Sequence, residues 1–374
     1  MKTIRMTGLI VLLAQSLIAA DESPDIISKQ GLISVNGVYQ TWSFGDSSRI
    51  SEFSIPVSFY YPLNNRFSVA AFLSQASSNG EVSGFSLQKL NGLSDAQFSL
   101  NYYIEDKNIL LSLGGGLPVG KKELSLDEFA TSVIVSQNAF NFQVPIFGQG
   151  FNLSPGFTWA KPMNEKTVLG LGASYQLKGK YYPIVKSVMT DLYDPGDEIL
   201  LTGGLDYQVS EIEALSFDLT VNLYGKDKVG ALEVYKAGTK IMAATQYKKF
   251  VGYDLLWWFG RFRSRAKSDI YATVSTSESV KTQRDEFESV GMYRKRLNPK
   301  TSLAYTAEAR YFFKTDAIGS AYQAGVGILP ETQVSPNTRL QGKFKLFVGK
   351  ENNLPPEGET VIGIEIGAGI EYAF

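Results

Sequence analysis

Cysteine and histidine are both missing from the 374 residues. Without thiolates or imidazoles there is no disulfide framework, no zinc finger, no haem ligation by either residue, and no imidazole base for a serine nucleophile. Carboxylates are plentiful, but no pair stands out in spacing, so the chain reads as a non-enzyme with neither cofactor nor resident metal. A basic surplus is lacking too: 36 Lys and Arg against 37 Asp and Glu argue against nucleic acid as a partner. After residue 20 no segment supplies the roughly 20 consecutive apolar residues that a membrane helix requires. Internal repeats and low-complexity linkers are absent as well, which predicts one domain.

What is present begins with a charged start (Lys2, Arg5), an apolar run from Gly8 to Leu13 and a small-residue end at Ala19-Ala20. This reads as a cleavable secretory signal over residues 1–20, with a mature chain of 21–374. The missing disulfides suit export if hydrogen-bonded strand ladders hold the fold. Abundant Gly, Tyr and Phe favour strands with aromatic ends and small residues on an inner wall.

Alternation over about ten positions recurs along the chain. Phe53, Ile55, Val57, Phe59 and Tyr61 share one face, with Ser54, Ser58 and Tyr60 on the other. The same holds for Ala96, Phe98, Leu100, Tyr102 and Ile104, for Leu169 to Leu177, for Ile199 to Val209, for Leu303 to Tyr311 and for Leu340 to Val348. A soluble sandwich also alternates, but here the polar faces carry long charged side chains that a dry core would not hold. Aromatic residues, among them Tyr61, Tyr102, Trp159, Trp257, Trp258, Phe312 and Phe313, gather at strand ends as membrane girdles do. Short turns at 62–65, 105–108, 163–166 and 297–300 intersperse with long segments at 76–93, 118–150, 180–197, 277–288 and 349–360. The expected fold is therefore all-β: an antiparallel up-and-down transmembrane β-barrel of about 14–16 strands with both ends on the periplasmic side.

The last segment carries the most specific pattern. Ile362, Ile364, Ile366, Ala368, Ile370, Tyr372 and Phe374 fall on one face, with Gly and Glu on the other, and the final residue is Phe. In this the chain resembles bacterial outer-membrane β-barrel proteins, whose terminal strand is read by the barrel assembly machinery. The resemblance implies Tyr372 and Phe374 as an assembly signal, and outer-membrane lipid and lipopolysaccharide as surroundings. The Gly92-Leu93-Ser94-Asp95 and Leu117-Pro118-Val119-Gly120 phrases, with Gly-rich inner faces, are similar to the outer-membrane family of phenol-degradation pathways and its long-chain fatty acid and toluene transporter relatives. Fatty acid transporters carry an N-terminal hatch of some tens of residues. Here only Asp21 to Gln30 precede the first strand, which departs from that pattern.

Charge is densest at Arg261, Arg263, Arg265 and Lys267, a spacing of two that places them on one strand face. With Arg294, Arg296, Arg310, Arg339, Lys343 and Lys345 they predict a basic inner wall, and Glu308, Glu365 and Glu371 an acidic counterpart. Opposed walls would orient polar or anionic solutes, whereas mutual pairing would brace the lumen. Segment 118–150 contains Ser125-Leu126-Asp127-Glu128, a capping-box pattern, followed by apolar residues; a short helix or folded loop that narrows the pore or forms an apolar entry site fits, and so does an external hairpin. Asp191, Asp194, Asp197 and Glu198 lack EF-hand spacing and read as a solvated turn. The functional expectation is an outer-membrane channel or transporter for passive uptake of small molecules, hydrophobic or aromatic ones included. The alternative is a non-conducting structural or surface-interaction barrel.

Overall fold

The computed structural model describes residues 30–374 apart from 46–47, 83–84, 138, 274–275, 316–317 and 353–358; the expected signal, 1–20, lies outside the described residues. The first half of the chain forms β1 (Leu32–Phe44), β2 (Ser48–Pro62), β3 (Phe67–Val82), β4 (Phe85–Leu93), β5 (Ala96–Ile104), β6 (Ile109–Leu117), helix α1 (Leu126–Val135), β7 (Asn152–Pro162) and β8 (Thr167–Lys178). After these come β9 (Tyr193–Asp194), β10 (Glu198–Ser210), β11 (Glu213–Tyr224), β12 (Lys226–Val229), β13 (Leu232–Lys236), β14 (Lys240–Val251) and β15 (Asp254–Arg265). The chain finishes with β16 (Ser268–Thr273), β17 (Thr276–Val280), β18 (Glu286–Asn298), β19 (Thr301–Phe312), β20 (Ala321–Ser335), β21 (Thr338–Glu351) and β22 (Glu359–Ala373).

Seventeen strands form one antiparallel sheet, and β1 pairs with β22 from Leu32↔Ala373 to Phe44↔Val361, which closes it. Strand β3 pairs with β4 over one half and β5 over the other, so these two act as one broken stave of a 16-stave barrel. Closure matters because a bilayer offers no water to unpaired backbone groups, and only a ladder without edges satisfies them all. Staves such as β8, β11, β14, β15 and β19 have 12 residues, enough for a tilted strand to cross the hydrocarbon.

Alternation then sorts the side chains. In β2, Phe53 is exposed while its neighbours Glu52 and Ser54 are buried inside. Phe157, Leu171, Leu201, Phe217, Val326 and Ile362 are likewise exposed on the outer face, making the apolar belt that lipid requires. At the seam, Phe374 stacks with Tyr61 at 5.8 Å and with Phe59 and Tyr372 at 6.2 Å. Gly31 and Phe374 exchange backbone hydrogen bonds of 2.9 and 3.0 Å, which fastens the two ends of the barrel wall together.

Both ends of the described chain lie at the same end as the short turns, hereafter the turn end. Asparagine closes several of these turns: the Asn64 carboxamide oxygen accepts the N–H groups of Arg66 (2.8 Å) and Phe67 (2.9 Å), and Asn164 and Asn298 accept from Lys166 and Lys300. At the opposite, loop end, β9, β12, β13, β16 and β17 form a five-stranded rim sheet.

Two expectations are corrected, and one element appears that the sequence does not single out. Residues 76–93 are not a loop, because β3 and β4 continue the ladder through Ser77↔Asn91 and Ser78↔Leu90; small polar residues there line the lumen rather than solvent. Residues 225–239, unremarkable in sequence, contain the rim hairpin β12–β13. Trp257 and Phe312 point inward, out of the expected girdle, since each is one residue out of phase with the exposed Trp258 and Phe313.

Candidate functional site: the lumen and its inserted segment

The segment between β6 and β7 folds into the barrel. Its two ends are held by one carboxylate: Asp95 Oδ1 accepts the Gly120 N–H at 2.9 Å and Oδ2 accepts the Gln149 N–H at 2.7 Å. Between them α1 begins with a complete capping box, in which Ser125 Oγ accepts the Glu128 N–H at 3.2 Å and Glu128 Oε2 accepts the Ser125 N–H at 3.1 Å. Lys121 pairs with the same carboxylate. Burial pushes the Glu128 pKa up, but the hydrogen bonds from Lys121 and the Ser125 N–H outweigh this and hold it below its ordinary value. Strand β6 ends where Leu117 meets Ala96, and the Thr131 hydroxyl donates to the Gln88 carbonyl of β4 at 2.7 Å, so helix stands against β4 there.

Beyond α1 the segment packs on the inner wall. Phe140 stacks with Phe44 (5.7 Å), contacts Trp42 (5.8 Å), and joins Val135, Phe142, Ile50 and Val361 in a buried cluster. Gly363 makes room for this: a Cβ there would lie 2.5 Å from the Trp42 ring. Val144 and Phe147 form a second cluster with Leu90, Leu124 and Ala76.

Buried backbone groups of such a segment need partners, and inward polar side chains supply them. Gln40 both donates to the Asn141 carbonyl (3.1 Å) and accepts from the Gln143 N–H (2.9 Å). Glu52 accepts from the Val144 N–H (2.9 Å) and the Ser78 hydroxyl (3.0 Å). Gln323 donates to the Ala139 carbonyl at 2.5 Å. The pore-narrowing alternative for this segment, not the external hairpin, describes its position. Together these contacts place it along β1–β4 and β19–β22, leaving a cavity of about 220 Å³ beside Phe72, Asp95 and Gln97.

The expected basic row sits on β15, where Arg261, Arg263 and Arg265 alternate with the exposed Phe262. Its charges are largely matched by neighbours rather than by an opposed wall. Arg261 pairs with Glu288, Arg263 with Glu286, and Arg310 with the other oxygen of Glu286 at 2.7 Å. Lys345 pairs with Glu308, Lys343 with Glu365 at 2.8 Å, and Arg339 with Glu331 (3.3 Å) and Glu371 (3.6 Å). Glu308, Glu365 and Glu371 therefore belong to the same half of the wall as the bases. Adjacent strands bring inward side chains of equal height together, and opposite charges at such positions attract.

Two residues leave the row. Strand β15 ends at Arg265, so Lys267 is an exposed linker residue. Arg296 reaches the turn end, donating to the Pro299 carbonyl (3.2 Å) and covering the Tyr253 ring (5.3 Å), while Arg294 stays on the inner face of β18. Three carboxylates of the 191–198 turn are individually engaged: Asp194 with Lys180 at 3.1 Å, Asp197 with Tyr175 and the Lys178 N–H, Glu198 with Lys178 at 3.4 Å. No cluster suited to a metal occurs among the described residues.

Sequence reasoning missed the contrast between the two halves of the lumen. Along the middle of β6–β8 the inward positions are Ser112, Gly114, Gly116, Ser154, Gly156, Thr158, Gly170, Gly172 and Ser174, all small, while larger inward residues such as Leu110, Val168, Gln176 and Lys178 stand toward the strand ends. On β10 and β11 they include Asp206 and Asp218. Toward the turn end, Phe250, Leu255, Trp257, Met292, Ala304 and Leu329 make an apolar patch on the inside. The Gly and Ser spacing was available in the sequence; which half of the wall the inserted segment covers was not.

No family model and no curated protein matches the chain. Among solved structures it is similar to OpdQ of Pseudomonas aeruginosa, with 11% identity over 92% of this chain and 99% of that one and a TM-score of 0.47. OmpT of Vibrio cholerae gives 11% identity over 94% and 100% with a TM-score of 0.42. An outer membrane channel from Pseudomonas putida F1 gives 9% over 94% and 97% with a TM-score of 0.38. Identities this low tie none of this chain's side chains to a role in those proteins.

Proposed function

We propose that this chain is a passive channel of the bacterial outer membrane for small solutes. The observation that carries the reading is the asymmetry of the lumen: side chains no larger than threonine line the middle of β6–β8, opposite a wall filled by the inserted segment and by ion pairs. A solute would pass along the small-residue face. The apolar patch around Trp257 and Leu255 suits solutes with a hydrophobic or aromatic part, and the ordered charges above it suit a polar end. On this reading Tyr372 and Phe374, exposed at the seam, serve as the signal for the barrel assembly machinery, and the aromatic ends of the belt meet lipid and lipopolysaccharide.

A second reading has one observation in its favour. Pairing of Arg261, Arg263, Arg310, Lys343 and Lys345 with carboxylates would also brace a closed, non-conducting barrel. Single-channel recording of the refolded mature chain in a planar bilayer separates the two. Discrete conductance steps, with block by an added aromatic solute, are expected for the channel. Silence from a correctly folded barrel would leave the structural role.

A further inference from the structure

Five staves end or begin at the loop-end mouth with an inward polar side chain: Lys178 closes β8, Glu198 opens β10, Tyr224 closes β11, Lys240 opens β14 and Arg265 closes β15. These residues converge. The Lys178 ammonium lies 5.7 Å from the centroid of the Tyr224 ring and the Arg265 guanidinium 4.9 Å, so one ring is shared by two cations. Arg265 also donates to the Tyr224 hydroxyl at 3.2 Å. Lys240 stands directly opposite Arg265 in the β14–β15 ladder and opposite Asn222 in the β11–β14 ladder.

The charge at this mouth is unbalanced. Three cations face a single carboxylate, Glu198, and that carboxylate already accepts from Asn222 and pairs with Lys178 at 3.4 Å. The Lys240 ammonium makes no ion pair or hydrogen bond among the described residues. Arg261 and Arg263, the other bases near Lys240, have their own glutamates. Arg265 Nε is buried without a hydrogen-bond partner, and its backbone N–H is bound by Asp285, which pairs with Lys281 at 2.8 Å. Like charges placed directly across a ladder destabilise it, and the carboxylates in reach are committed elsewhere. An anion received between them would remove that repulsion and meet donors already aimed at the lumen.

We propose that Lys240, Arg265 and Lys178, grouped round Tyr224, form an oxyanion-binding site at the loop-end mouth that takes the carboxylate or phosphate group of a small solute. The site lies above the apolar patch on the same side of the lumen, so a solute with an anionic head would meet the cations first. This rests on the channel reading for its role in passage, though binding itself does not require conduction.

The test is calorimetric titration of the full, detergent-folded barrel with benzoate and with inorganic phosphate, in wild type, Lys240→Gln, Arg265→Gln and, as a control, Lys249→Gln. Lys249 pairs with Glu213 at the turn end, on the other side of the wall. Saturable binding of either probe is expected, about tenfold weaker in Lys240→Gln and Arg265→Gln, as for one lost charge-assisted contact, and unchanged in Lys249→Gln. Which probe binds tells carboxylate from phosphate. Equal affinity in all four proteins, or no binding of either probe to wild type, would overturn the site. Recording conductance on the same samples keeps the two readings apart. An open channel without Lys240-dependent binding removes the site alone, and a silent barrel that binds through Lys240 removes the channel alone.

Discussion

Glu52 Oε1 accepts the backbone N–H of Val144 at 2.9 Å, across 92 residues of sequence. The carboxylate is only 1% exposed, and its second oxygen takes the Ser78 hydroxyl. Neutral donors alone therefore fix it, and in doing so it fixes the inserted segment to the wall of β2 and β3. Asp95 does the same for the two ends of that segment.

Replacing Glu52 by Ala should loosen the segment by about 1–3 kcal/mol, the cost of leaving a buried donor unsatisfied, whereas Gln keeps one acceptor and should be milder. Limited proteolysis should cut Glu52→Ala faster within 139–149, and single-channel records should become larger and noisier. An unchanged cutting rate would mean that Phe140 and Phe142 hold the segment by packing alone.

Glu286 joins Arg263 to Arg310 and is 2% exposed, which makes it the hub of the ion-pair ladder. Glu286→Gln leaves two guanidinium groups without their carboxylate and should destabilise the barrel by about 3–5 kcal/mol. The temperature at which the heat-modifiable gel band is lost should fall accordingly. In a salt gradient the same variant should favour anions, whereas Ser at Arg261, Arg263 and Arg265 together should favour cations. Identical reversal potentials would take these residues out of the conduction path.

The acid response of α1 follows from Glu128, whose folded pKa lies below its unfolded value despite burial. Its stabilisation is thus fully present above the ordinary carboxylate range and is lost as pH falls through the lower, folded value. Amide exchange over Leu126–Val135 should be flat through neutral pH and accelerate only in acid. Glu128→Gln should abolish that step, and a step surviving in the variant would assign it to another group.

Removing Phe374 takes away a ring that stacks on Tyr61, Phe59 and Tyr372 at the barrel seam. Insertion in cells should slow, with unfolded precursor accumulating in pulse-labelling. Normal insertion kinetics combined with a lower melting temperature would leave Phe374 a structural clasp rather than an assembly signal.

The sequence alone determined the barrel, its antiparallel order and the outward face of the staves with regular alternation. A period of two is a local property, and a lipid-facing strand must be apolar at every second position, as Phe53 and Ile362 are. It also determined the capping box at Ser125 and Glu128, because that motif spans four residues. Phase remained ambiguous where both neighbours are aromatic: Trp257 and Trp258 look alike until the register with β18 assigns one to the lumen. Only the tertiary structure decided that 118–150 turns into the lumen, since Gln40, Glu52 and Gln323 are ordinary inward residues until the fold brings the carbonyls and N–H groups of that segment against them. The same holds for charge. Spacing exposed the row Arg261, Arg263 and Arg265, but which carboxylate lies beside each base depends on strand pairing across tens of residues, and Coulomb attraction at contact distance decides whether a row is free or neutralised.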